Sequence, residues 1–447
     1  MVPDFLDLTK DPLKNQAKEM PILLAIYAAS TLVSMAIMSL GTAAVVVGLA
    51  VVAYRSRHSS LHSKDERWPS KLLIGGWRSY AAWSVLLALA CLLSLIVARW
   101  SPIDGLDPAS VRWGKDLFKL WYFLWPPVLA LTLWRLSPRD QGRILRIWLL
   151  VFGVISIVGI QQFWTGWPRP QGIPSLPGFF HSTLFLGHHL SVASIWIFPF
   201  FVALSALVSP ERDGLAAHLG LSRRMLLFLV AAGALALFLG FSRMLWLALP
   251  AGVMALVFLK TAPSLRLRYT FFAAGILAAL CVVLFQVPMI RERLIHSIGT
   301  TDRFDLWKAN WELFLLRPFT GAGWHHNLDL AGQLLRRWSA GQDVFVSHAH
   351  NNLIEVLGGT GLMGLAGWLG WNIWLFRLLW QQANDESKLP GWFRELAQGT
   401  LAAFVVFHLN GLTQVNFWEG KVQHQLSWMV AWSLLAILHQ RSKAGQS

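Results

Sequence analysis

The chain has 447 residues, of which 55% are hydrophobic and only 14% charged. A soluble chain carries about 25% charged residues, so this one cannot cover a water-exposed body, and soluble enzymes, disordered scaffolds and disulfide-stapled secreted domains are excluded. The formal charge of +15 does not point to nucleic acid, because the basic residues collect in short loops between apolar runs and form no basic tail, zinc knuckle or recognition helix.

Residues 1–19 carry Asp4, Asp7, Lys10, Asp11, Lys14 and Lys18 ahead of the first apolar run. A cleavable signal peptide would instead show a basic start and an immediate apolar core. A helix needs roughly 20 residues to cross ~30 Å of hydrocarbon. On that ruler, apolar segments fall at 20–38, 41–54, 79–98, 117–134, 147–164, 184–208, 225–241, 244–260, 269–288, 351–376, 397–413 and 425–439. Gly41 offers a tight hairpin between the first two. The pattern predicts an all-α polytopic membrane protein with about 12 transmembrane helices. Most of the 38 Lys and Arg residues fall on one side of that arrangement, in groups such as Arg55–Arg78, Arg135–Arg146 and Arg212–Arg224. The positive-inside rule then puts both termini in the cytoplasm. Cys91 and Cys281 lie within apolar runs and give neither a disulfide framework nor metal-ligand spacing.

Two outer loops interrupt the monotony. Thr165–Ser182, rich in Pro and Gly, cannot be helical and is expected to fold over the mouth of a cavity. Residues 289–350 are too polar to span, and Leu306–Leu316 within them predicts a helix lying on the outer surface. The expected organisation is therefore nine helices in 1–288, a long outer loop with surface helices in 289–350 and three helices in 351–447. No internal repeat is visible.

The densest polar cluster is Ser347-His348-Ala349-His350-Asn351-Asn352, followed by glycines at 358, 359, 361, 364, 367 and 370. Read alone, His350 is either a base or an interfacial histidine capping a helix whose glycines only pack. Arg243 falls between two apolar runs with almost no loop around it. It either meets an anion or snorkels to lipid phosphates. Arg303 either meets an anion or pairs locally with Asp302 or Asp305, and Arg169 either joins it or is an exposed loop charge. His188-His189 and His325-His326 lack Cys or carboxylate companions at metal spacing. An outer cavity short of carboxylates but supplied with Arg and His suits an anionic substrate and needs no metal: Arg forks onto phosphate oxygens, and neutral His takes a proton from a hydroxyl. Together they describe transfer to a hydroxyl from a diphosphate leaving group.

His350-Asn351, nine residues, then Gly361-Leu362-Met363-Gly364, after a long outer loop, resembles the signature of the O-antigen ligase and polymerase superfamily. Phe241-Ser242-Arg243, Arg303-x-x-x-Trp307 and Arg317-Pro318-Phe319-Thr320-Gly321-Ala322-Gly323 match further family positions, and Arg169 with Gly172 and Phe179 matches more loosely. The resemblance implies a GT-C-type glycosyltransferase of the bacterial inner membrane with its site on the periplasmic side. The implied donor is a glycan on undecaprenyl diphosphate, and the implied acceptor a hydroxyl of lipid A-core oligosaccharide, with no cofactor. His350 matches the essential histidine. Arg243, Arg303 and Arg169 match arginines near the diphosphate, and Asn351, His348 and Arg317 are accessory candidates. The spacing favours a ligase over a polymerase that joins lipid-linked repeat units. A protein-glycosylating relative would be expected to carry a further C-terminal region. A lipid-linked oligosaccharide transporter would show paired charges deep in spans and related halves.

Overall fold

The computed structural model describes residues 19–58, 77–107, 113–168, 174–176, 178–209, 214–288, 291, 302–339, 344–386 and 389–444. The N-terminal charges Asp4 to Lys18, the basic run Lys64, Arg67 and Lys71, and Arg169 lie outside them.

The first apolar run does not continue to residue 38. It breaks at Ser34, whose backbone is extended, between α1 (Met20–Val33) and α2 (Met35–His58). Gly41, the expected turn, instead lies inside α2 against Ser30 and Tyr27, and Gly48 lies against Leu23 and Met20. The two helices are thus an antiparallel hairpin packed through glycine. α3 (Arg78–Trp100) follows, then α4 (Trp113–Phe118), a 3-10 segment (Lys119–Phe123) and α5 (Trp125–Trp134). α6 (Pro138–Thr165) is capped by Ser137, which accepts from Asp140 N, and ends at Gly166 in the left-handed region. The Pro/Gly loop carries a two-stranded antiparallel pair, β1 (Pro174–Leu176) and β2 (Phe179–Phe180). α7 (His189–Leu207), α8 (Leu215–Leu219), α9 (Arg223–Leu239), α10 (Arg243–Lys260) and α11 (Arg266–Phe285) complete the first part. Then come α12 (Asp302–Leu316), α13 (Asn327–Trp338), α14 (Asn352–Asn384), α15 (Gly391–Asn410) and α16 (Gly420–Ala444).

Every expected apolar segment overlaps a helix, but only eight helical stretches among the described residues are long and apolar enough to cross a membrane by length and composition. α1, with 14 residues, and α9, with 17, are short. α15 and α16 are long but polar, and the packing explains why. Both are buried along most of their length, so their polar side chains meet protein. Gln398 donates to Ala383 O at 3.0 Å, and Thr31 donates to Gln425 Oε1 at 2.8 Å. α11 is the opposite case: none of its residues is buried, and Leu267, Phe271, Phe272, Ile276, Val282 and Val283 are bare. Apolar surface of that extent is stable against lipid. The protein is a multi-pass helical membrane protein.

The long loop has an apolar core of its own. Leu306, Ala309 and Leu313 of α12 pack against Leu330, Ala331, Leu334 and Leu335 of α13, with Leu106 closing the cluster. α12 lies where a surface helix was expected; α13, the more strongly amphipathic of the two, is a second helix of the same loop, for which the sequence suggested no range.

Candidate active site

The segment ahead of α14 is pinned from several sides. Ala349 N donates to Glu355 Oε2 at 2.8 Å, and Ala349 O accepts from Trp307 Nε1 at 2.7 Å. Asn351 caps α14 through its Oδ1, which accepts from Leu353 N at 2.9 Å and Ile354 N at 3.2 Å, while its Nδ2 donates to Leu412 O at 3.0 Å. Such a cap satisfies backbone N–H groups that the first helical turn leaves open. Asn352 extends the tie. Its Oδ1 accepts from Asn416 N at 3.0 Å and Phe417 N at 3.2 Å. The start of α14 is thereby fastened to the turn after α15.

Between these anchors His350 takes a left-handed backbone, φ 48°. Leu184, Phe241 and His325 also have positive φ, and all four lie a few residues ahead of a helix. Non-glycine residues held there cost about 1–3 kcal/mol each and gather at functional sites. The His350 ring touches Ser347 Oγ through Nε2 at 3.2 Å and Gln414 Oε1 through Nδ1 at 3.3 Å. The ring of His348 lies 4.2 Å away, centroid to centroid.

α12 supplies the cation. Arg303 and Trp307 are one turn apart and share a face, so the tryptophan that grips Ala349 sets the arginine beside the imidazoles. Burial pushes the His350 pKa down to about 4; the charges of Arg303 and His188 push the same way, against the contact with Gln414. Burial, His350, His188 and Arg303 likewise lower His348 to about 4. Both rings are therefore neutral near pH 7, and His350 can accept a proton.

The glycines do more than pack. Gly361 has φ 61° and ψ −160°, which breaks α14. A continuous helix would bond Leu362 N to Gly358 O and Met363 N to Gly359 O. Here Leu362 N donates to Pro318 O at 2.8 Å and Met363 N to Phe319 O at 3.2 Å. The two released carbonyls accept from Ala322 N at 2.8 Å and Gly323 N at 3.1 Å. The segment after Arg317 is thus laid backbone to backbone into the break, where a Cβ on Gly321 would come within 2.4 Å of Gly359 C. Both glycine motifs serve one joint, and it sets α12 over the start of α14.

Arg317 does not reach His350: its Nη1 donates to Val97 O of α3 at 3.0 Å, an anchoring contact. Arg243 opens α10 half-buried. The turn before it is tied towards the histidines, since His181 Nδ1 donates to Gly240 O at 3.2 Å and stacks on His189 at 4.1 Å. His189 in turn stacks on His188, the residue whose charge bears on His350. Three imidazoles therefore join the Arg243 turn to the His350 rim. His326 Nε2 sits 3.0 Å from Asp116 Oδ2, and His325 packs against Trp324 and Trp418. That pair fixes the start of α13. Arg169 lies outside the described residues. Among the described residues no group of three or more His, Cys, Asp or Glu is placed to hold a metal ion.

Residues 227–369 match the family model described as O-antigen ligase. The match supports the resemblance to the O-antigen ligase and polymerase superfamily. No curated protein matches it. The O-antigen ligase match runs from α9 past the break in α14, so it takes in Arg243, Arg303, Arg317, His348 and His350. Gln414, Glu419 and Lys421 lie beyond it, in no motif of the sequence. Glu419 accepts from Ser191 Oγ and sits 3.7 Å from Lys421 Nζ; burial raises its pKa. Polar residues scattered around the turn between α15 and α16 carry no periodic signal, and only the fold brings Gln414 to His350 and the Lys421 charge near His188.

Proposed function

We propose that this protein is an O-antigen ligase of the GT-C type. It moves a glycan from undecaprenyl diphosphate to a hydroxyl of lipid A-core oligosaccharide at the periplasmic face of the bacterial inner membrane, with both termini cytoplasmic. The observation that carries the reading is a neutral His350 on a strained, heavily anchored turn, with the guanidinium of Arg303 beside it. A diphosphate is already a good leaving group, so the step asks for charge stabilisation and a base. Arg303 and Arg243, with Arg169 from the Pro/Gly loop, hold the diphosphate oxygens and stabilise the charge that grows as the anomeric C–O bond breaks. The acceptor oxygen forms its bond to the same carbon from the opposite face, and its proton passes to His350. The anomeric centre inverts, undecaprenyl diphosphate departs, and neither a covalent intermediate nor a metal is needed. General-base assistance of this kind supplies about 10²–10⁴ in rate.

The test supplies purified protein with lipid-linked glycan, with and without lipid A-core, in a chelator. Glycan on lipid A-core supports the reading. Longer lipid-linked chains alone would make the protein a polymerase, and no product with either acceptor would return it to the transporters. His350→Ala should lose transfer while remaining folded in the membrane. Near-wild-type transfer by that variant removes His350 from the mechanism.

A further inference from the structure

A base needs its proton on the correct nitrogen, and the motifs say nothing of how that is arranged. Both ring nitrogens of His350 are engaged, by Ser347 Oγ at Nε2 and by Gln414 Oε1 at Nδ1. A carbonyl oxygen can only accept, so the second contact requires the proton on Nδ1. Nε2 then presents a lone pair, and the Ser347 hydroxyl already lies against it, as an incoming sugar hydroxyl must. Gln414 is itself well placed to dictate this. It is 2% exposed, and its turn is held at Leu412 by Asn351 and at Asn416 and Phe417 by Asn352.

The charged and titratable groups around the ring are Arg303 from α12, His188 ahead of α7 and His348 from its own segment. Glu419 and Lys421 follow Gln414 in the chain and pair with each other. Glu355, at the start of α14, is engaged by Ala349 N. The partner at Nδ1 is thus an amide, where many histidine bases have a carboxylate.

We propose that Gln414 is a positioning residue for the transfer, holding His350 as the Nδ1–H tautomer so that Nε2 receives the acceptor's proton. The inference rests on the ligase reading above and adds the group that aims its base. Being neutral, the amide orients the ring without drawing a second proton onto it, so the imidazole stays available in a site that also gathers cations.

The test compares Gln414→Leu and Gln414→Glu with wild type, at equal amounts of monodisperse protein, using lipid-linked glycan and lipid A-core across pH. Gln414→Leu should lower kcat roughly 10–100-fold, a part of the whole general-base contribution, with little change in donor KM. Gln414→Glu keeps the shape but places a carboxylate on Nδ1, which favours imidazolium. The acidic limb of kcat/KM should therefore move to higher pH. A purely structural role would change the yield of folded protein and leave that limb in place. Wild-type kcat in Gln414→Leu, or an unmoved limb in Gln414→Glu, overturns the proposal. If the leucine variant does not fold, the near-isosteric glutamate variant decides through its limb. Transfer that survives His350→Ala defeats the ligase mechanism itself, whereas a dead His350→Ala beside wild-type-like Gln414 variants defeats only the role of Gln414.

Discussion

Gly361→Ala probes the joint on which the site is assembled. The residue sits at φ 61°, ψ −160°, a region essentially confined to glycine, where another residue costs of order 1–3 kcal/mol. A Cβ there would also meet Phe319 C and O at 2.6 Å. Both are backbone atoms, held by the bonds that Leu362 N and Met363 N donate, so they cannot swing aside as a flexible side chain would. Forcing one methyl into such a space costs about 1–3 kcal/mol more. The total, roughly 2–6 kcal/mol, is of the same size as the four exchanged backbone bonds together, at about 0.5–1.5 kcal/mol net each. The expected outcome is that the segment 318–323 lifts from α14 and α12 loses its seat. Thermal unfolding of the purified protein in detergent should show a lower midpoint, and transfer should fall further than the loss of folded protein accounts for. Gly275→Ala is the control. It lies on α11 with nothing within 4 Å of the added carbon, and alanine is favoured over glycine in a helix by about 0.5–1 kcal/mol. A Gly361→Ala protein as stable and active as wild type would refute the account of the break.

Two further outcomes follow from the geometry. The free protein holds His350 at about 4, so the base is ready above that pH and is lost as pH falls through it. A bound diphosphate adds negative charge beside the ring and favours imidazolium; the acidic limb of kcat, which reports the complex, should therefore lie at higher pH than that of kcat/KM, and coincident limbs would place the diphosphate away from His350. Asn351→Ala removes a helix cap worth about 0.5–2 kcal/mol and the tie to Leu412. Its kcat should drop more than its donor KM rises, with Asn351→Asp recovering the cap but not the donated bond; equal activity in all three proteins would show that the tie is idle.

The apolar runs announced nearly every helix, because a lipid-facing segment cannot hide its composition. α15 and α16 were visible through their apolar residues even though their polar ones spoil a hydropathy threshold, since what they face is protein. The order of His350, Arg243 and Arg303 was also readable, as short motifs are. Their meaning was only half readable. Trp307 looked like a motif residue, and only the fold shows it donating to Ala349 O. Arg317 looked like an accessory site residue, and its guanidinium is spent on Val97 O. Ser34 carries no breaker signature, so the first turn was misplaced at Gly41. Gln414 is separated from His350 by the whole of α14 and α15, a distance no spacing rule covers.

That separation bears on biogenesis. A nascent chain that has emerged only as far as α14 already owns the guanidinium and the imidazole, yet it lacks the turn at 411–417 that clasps Asn351, Asn352 and His350. α15 and the turn after it must be in place before the ring has a defined aim. On the ligase reading, an unfinished copy left in the membrane by stalled synthesis could dock a carrier lipid but would be slow to discharge it.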